Sequence, residues 1–132
     1  MTLRVLQPEG WPRPRGYANG VSAPNGRTIH VAGQIGWDTN GKVVAGGIVP
    51  QARLALENIV AVLACGGAKP EHVVRLTWYV TNKAEYLAAG LALGVAYRTV
   101  MGKHFPAMTA VEVTSLMEPG AIVEIEATAV VP

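Results

Sequence analysis

The sequence predicts an α+β domain in which two helices cover one face of a mostly antiparallel sheet. Three observations carry that expectation. Residues 73–81 and 121–131 alternate in side-chain character, the period of a strand with one covered face. Ala52, Ala55, Leu56, Ile59 and Leu63 recur instead at helical spacing. At 132 residues with 50% apolar content, the chain has the length of one domain, so 1–132 is read as a single unit.

In chain order, residues 7–16 are rich in Pro, Gly and Arg and predict an extended loop. Two strands should follow, Tyr17 to Ala23 and Thr28 to Ile35. Between them Pro24-Asn25-Gly26 has the chemistry of a tight hairpin turn. In the second strand Ile29, Val31, Gly33 and Ile35 share one face, and Thr28, His30, Ala32 and Gln34 the other. Gly33 inside a strand points to a bulge, or to close approach by another backbone or a ligand. Asn40-Gly41 marks a turn into a short strand, Lys42-Val43-Val44.

The first helix should open near Pro50, whose missing N–H costs nothing in a first turn. Arg53 and Glu57 pair on its outer side, and Gly66-Gly67 with Pro70 end it. In the strand from Val73 to Thr81, Val74, Leu76, Trp78 and Val80 face one way and Val73, Arg75, Thr77 and Tyr79 the other. Asn82 and Glu85 form a capping pair for a second helix that runs to Met101 and stops at Gly102. Gly90 and Gly94, one turn apart, suggest close packing of that helix on the sheet. Strands Ala110 to Ser115 and Ala121 to Val131 close the order β-β-β-α-β-α-β-β.

Composition narrows the function classes. A mean hydropathy of +0.27 is high for a monomer of 13.9 kDa, which by itself buries only roughly two-thirds of its unfolded surface. Surplus apolar residues predict a homo-oligomer, with the sheet's second face as the natural contact. The net charge is +2 with no basic stripe, so no nucleic-acid partner is expected. The single Cys65 excludes an internal disulfide and any multi-cysteine metal site, and after an apolar run it reads as a small buried hydrophobe. Met1-Thr2-Leu3-Arg4 lacks signal-peptide character, and no apolar run approaches the roughly 20 residues of a membrane span. A cytoplasmic protein with no membrane partner is the expectation.

The common catalytic motifs are absent: no phosphate loop, dinucleotide fingerprint, nucleophile elbow or His-Glu-x-x-His. His30, His72 and His104 lack metal-ligand spacing and read as surface or structural residues. Glu124 and Glu126 share one face of the last strand, opposite Val123, Ile125 and Ala127. They read either as a solvated sheet face or as a carboxylate that holds water or a proton in a cleft. Glu112 is a third candidate, and spacing does not decide among the three.

Four segments in register resemble the RidA/YjgF family of imine/enamine deaminases: Gly16-Tyr17 after the proline-rich loop, Val31-Ala32-Gly33-Gln34-Ile35, Phe105-Pro106-Ala107 leading to Val111-Glu112-Val113, and Val123-Glu124-Ile125-Glu126-Ala127. The resemblance implies a chorismate-mutase-like fold and a homotrimer with ligand clefts between subunits. It implies hydrolysis of 2-imino acids to 2-keto acids and ammonia, with no metal and no cofactor. In that scheme an arginine after Phe-Pro-Ala grips the substrate carboxylate. A glutamate on the last strand positions water, and a tyrosine lines the cleft from the adjacent subunit.

Carried over, the tyrosine is Tyr17, the strand glycine Gly33 and the catalytic glutamate Glu124. The arginine position holds Met108, which cannot make two charge-assisted hydrogen bonds. Ala110 replaces a frequent Ser or Cys, and Leu91 a polar residue of the second helix. The reading is therefore a deaminase-like hydrolase for an imine or enamine without a free α-carboxylate. Backbone groups near Gly33 and Ala107 would polarise the substrate. A non-catalytic trimer binding a small apolar ligand is the alternative, and an endoribonuclease, an activity attributed to some relatives, comes third. Standard 2-iminobutanoate deamination would require Arg15, Arg53 or Arg98 to reach the cleft in place of position 108.

Overall fold

The structure is a computed structural model that describes residues 3–132; Met1 and Thr2 of the N-terminal segment lie outside the described residues. Its elements are β1 (Arg4–Leu6), β2 (Gly20–Ser22), β3 (Arg27–Ile35), α1 (Ile48–Cys65), a single 3₁₀ turn (Pro70–His72), β4 (Val73–Val80), α2 (Lys83–Ala88), α3 (Gly90–Met101), β5 (Ala107–Glu112) and β6 (Val123–Val131). The main sheet has the order β3-β6-β4-β5. Its β3–β6 and β6–β4 pairs are antiparallel, and β4–β5 is parallel. The fold is α+β with a mostly antiparallel sheet, as expected.

The central strand β6 alternates without fault. Val123, Ile125, Ala127 and Ala129 are buried, and the residues between them are half-buried on the other face. Against the buried row lie Val31 of β3 and Leu76, Trp78 and Val80 of β4. One departure occurs in β4, where the register shifts between Val73 and Arg75. The bulge turns Val73, rather than Val74, into the core opposite Ala129.

Helix α1 lays Ile48, Gln51, Ala52, Ala55, Leu56, Ile59 and Leu63 on this face. Leu93, Tyr97 and Met101 of α3 complete the core. α1 begins two residues before the expected Pro50. Gly46 and Gly47 hold positive φ there, and the Ile48 N–H donates to Glu85 Oε2 at 3.0 Å. Pro50 still falls in the first turn, where a proline is tolerated. With 18 residues and a mean hydropathy of 1.5, α1 has the length and composition of a membrane span, but its apolar stripe is the centre of the core. Cys65 is exposed, against expectation, because it lies on the side of α1 away from that stripe.

Four further expectations are corrected. Pro24-Asn25-Gly26 does not join a hairpin: β2 pairs with β1, and β3 with β6. Gly26 has no positive φ. It is small because the β6 terminus crosses it, so that a Cβ would lie 2.8 Å from the Val131 carbonyl carbon. Residues 42–44 form only a bridge, Trp37 with Val43, beyond a turn in which Asp38 Oδ1 accepts from Asn40 N and Lys42 N. The second helix breaks at Ala89 into α2 and α3, so the α-helices among the described residues number three. Asn82 does cap α2, accepting from Glu85 N at 2.9 Å, while the Glu85 side chain serves α1 instead. Gly90 and Gly94 make no close contact with the sheet. A Cβ on Gly90 would meet nothing within 4 Å, and one on Gly94 only the Arg98 side chain.

Candidate functional site

The sheet face away from the helices carries the carboxylates. On β6, Glu124 lies opposite Tyr79 and Glu126 opposite Thr77 of β4. The Tyr79 hydroxyl donates diagonally to Glu126 Oε1 at 2.7 Å. That bond is the main reason the Tyr79 phenol is pushed above its ordinary value. Loss of solvation and the neighbouring Glu126 and Glu124 charges add to the shift, and Arg75 opposes it. Arg75 Nη2 donates to Thr109 Oγ1 of β5 at 3.4 Å. Glu126 is therefore held by Tyr79, and Glu124 is the carboxylate presented beside it.

Glu124 is positioned by Gly33. The register of β3 shifts between Val31 and Gln34, so Gly33 sits in a bulge against the Glu124 side chain. A Cβ at position 33 would stand 2.8 Å from Glu124 Cδ and 3.0 Å from Cγ. Gly33 has no positive φ, so the glycine is needed for room rather than for backbone conformation. The expected bulge is present, and what comes close to Gly33 is the Glu124 side chain rather than another backbone.

A second group of candidates lines a groove of about 660 Å³ between α3, the start of β5 and the N-terminal loop. Tyr17, Met108 and Ala110 are here, with Trp78, Tyr86, Tyr97 and Phe105 as aromatic walls. Tyr97 stacks on Phe105 at 5.4 Å, and Trp78 meets Tyr86 edge-on at 6.2 Å. Burial pushes the Tyr86 and Tyr97 phenols above their ordinary value. The Tyr97 hydroxyl donates to the His104 carbonyl, and His104 Nε2 to the Val73 carbonyl at 2.7 Å. Arg15 and Arg98 reach the same groove, whereas Arg53 does not line it.

The expected site residues thus fall into two sets within one chain. Glu124 and Gly33 lie on the open sheet face, and neither lines the groove that holds Tyr17, Met108 and Ala110. Ala107 opens β5 and bridges to Ala18, which ties the Tyr17 loop to the strand. Leu91 does not belong to the groove: it is 91% exposed on the solvent side of α3. Glu112 is used structurally, accepting from the Lys83 N–H at the start of α2. His72 Nδ1 accepts from Lys69 N, which with the His104 bond leaves only His30 exposed on a strand. Among the described residues no group of three His, Cys, Asp or Glu side chains could hold a metal. Tyr79, Thr109 and Arg75 were missed as site residues. Their signal was the face that Arg75, Thr77 and Tyr79 share along β4, read against the Glu124 and Glu126 face of β6.

A mixed four-stranded sheet with helices on one face and a carboxylate set over a glycine bulge on the other defines the class of small α+β proteins to which the comparisons point. The family described as endoribonuclease L-PSP matches residues 12–131. A 2-iminobutanoate/2-iminopropanoate deaminase from Capra hircus is 36% identical over 105 residues, 79% of this chain and 73% of that protein. RutC family protein PH0854 from Pyrococcus horikoshii is 34% identical over 127 residues, 95% of each chain. The crystal structure of the Rid-family protein YyfB from Yersinia pestis superposes with a TM-score of 0.86 at 35% identity, covering 99% of this chain and 100% of that one. The chain belongs to the RidA/YjgF family.

Proposed function

We propose that the chain is a deaminase-like hydrolase of C=N bonds that works as a homotrimer, with its site completed between subunits. The observation that carries this reading is the packing of Glu124 over Gly33 on the open sheet face. A second subunit laid on that face would bring the carboxylate to a neighbour's groove, and so unite two sets of residues that lie apart in one chain. In such a cleft Glu124 takes a proton from water as its oxygen attacks the imine carbon. The proton passes to nitrogen, and collapse of the carbinolamine releases ammonia and leaves a carbonyl compound. Tyr17 contacts the substrate, and backbone groups near Gly33 and Ala107 polarise it. The named deaminases among the relatives support the reaction class.

Met108 sets the substrate apart. Without a guanidinium at that position, an imine with a free α-carboxylate loses about 2–5 kcal/mol of binding, or roughly 30- to 5,000-fold. Arg15 and Arg98 line the groove, but neither stands on β5 beside Ala107 as position 108 does, so the substrate of this reading is an imine or enamine without that group, met in the cytoplasm and handled without metal or cofactor. The test is ammonia release from freshly generated 2-iminobutanoate and from an imine lacking the α-carboxylate. Wild type should favour the second, and Met108→Arg should gain at least thirtyfold on the first. Full wild-type activity on 2-iminobutanoate, with no gain in the variant, would overturn the assignment. Sedimentation equilibrium should give three times the chain mass.

A second reading, a non-catalytic ligand-binding trimer, draws on Met108 beside aromatic walls, a lining that adapts to apolar ligands. Absence of ammonia release from every imine would select it. Ribonuclease action, suggested by the family's description, finds no support in a net charge of +2 without a basic stripe. Binding of RNA that weakens steeply with salt would favour it.

A further inference from the structure

The groove that holds Met108 has an uneven charge. Two arginines, Arg15 and Arg98, line it, and no aspartate or glutamate does, although the chain as a whole has 11 basic and 9 acidic residues. Its remaining polar side-chain groups are the hydroxyls of tyrosines and Thr109 and the indole N–H of Trp78, and the rest is aromatic or aliphatic. Arg98 stands on a helix, one turn after Gly94. A Cβ at position 94 would come within 3.4 Å of Arg98 Nη1, so the guanidinium lies back over α3 along the wall that Gly90 and Gly94 leave open. A cation set at the side of an aromatic slot, with no carboxylate beside it, is the complement of an amphipathic anion.

We infer that this groove binds a small molecule with a ring-sized apolar body and one anionic group, and that Arg98, assisted by Arg15, holds the anion. The inference deepens the proposed function and names the substrate class of the same site. The acid is carried on the body of the ligand, away from the reacting carbon, where Met108 offers nothing to an α-carboxylate. Arg98 is thereby the specificity-determining residue.

The test is isothermal titration calorimetry with 3-phenylpropanoate and its neutral amide, 3-phenylpropanamide, on the intact protein. Wild type should bind the acid at least tenfold more tightly than the amide. Arg98→Gln should remove that preference, weakening the acid by about ten- to a hundredfold while leaving the amide unchanged. Arg53→Gln, outside the groove, should match wild type. Gly90→Leu, which places a side chain in the open groove, should weaken both ligands. Equal binding of acid and amide by wild type, no acid binding at millimolar concentration, or a preference that survives Arg98→Gln would each overturn the inference. The hydrolase reading is separable: acid binding through Arg98 with no turnover of any imine leaves this inference standing and removes that one.

Discussion

The Glu124 side chain lies against the backbone of Gly33 so closely that even a methyl group at position 33 would overlap its carboxyl carbon. Gly33→Ala should therefore displace the Glu124 carboxylate while leaving the backbone conformation accessible. Overpacking of this kind costs about 1–3 kcal/mol. We expect that loss in urea unfolding, and a much larger loss of turnover than of stability. In a Glu124→Ala background the same alanine should cost markedly less, because the group it meets is gone. Additive costs in this cycle would show that the two residues are not coupled.

Gln51 is the one buried polar side chain of the described core. Its Oε1 accepts from Ile122 N at 3.0 Å, and its Nε2 donates to the carbonyls of Gly120 and Val44. Gln51→Leu fits the helix pattern yet leaves the Ile122 N–H without a partner. The expected cost is about 1–3 kcal/mol in urea unfolding. An unchanged midpoint would mean that the 120–122 segment is held by something else.

Tyr97 predicts an alkaline limit to stability. Burial raises its phenol above the ordinary value of 10.0, so the folded state holds that proton more tightly than the unfolded state. The contribution is complete below about pH 10 and is lost as pH rises through the folded-state value. The unfolding free energy should be flat to about pH 10 and then fall, by up to about 1.4 kcal/mol per pH unit for each such tyrosine. Tyr97→Phe should be less stable at neutral pH, having lost its bond to the His104 carbonyl, and should fall less steeply.

Much of the frame was legible in the sequence because it rests on period. The alternation of β6 placed Glu124 and Glu126 on one face, and the spacing from Ala52 to Leu63 gave the core side of α1. What was hidden lies where identical local chemistry serves different ends. Asn25-Gly26 reads as a hairpin turn, yet Gly26 is small to admit the crossing of Val131, a contact 105 residues away in the chain. Nothing in the sequence around Gln51 marks it as a core residue, and only the 120–122 segment explains its place in the stripe. The bulge at Val73 moved one side chain across the sheet, which strict alternation does not anticipate. Leu91 was assigned by correspondence along a helix, and the break at Ala89 sets its face toward solvent. The groove joins residues near 15, 78, 90 and 108, so its lack of acidic residues became visible only in three dimensions.

The most direct test of the account is the rate of ammonia release by wild type and Glu124→Gln on the imine that wild type hydrolyses fastest. Glutamine keeps the size of the side chain over Gly33 but cannot take the proton from water. The account predicts a loss of at least about a hundredfold in kcat, with 3-phenylpropanoate binding intact. A Glu124→Gln variant that turns over at the wild-type rate would contradict it.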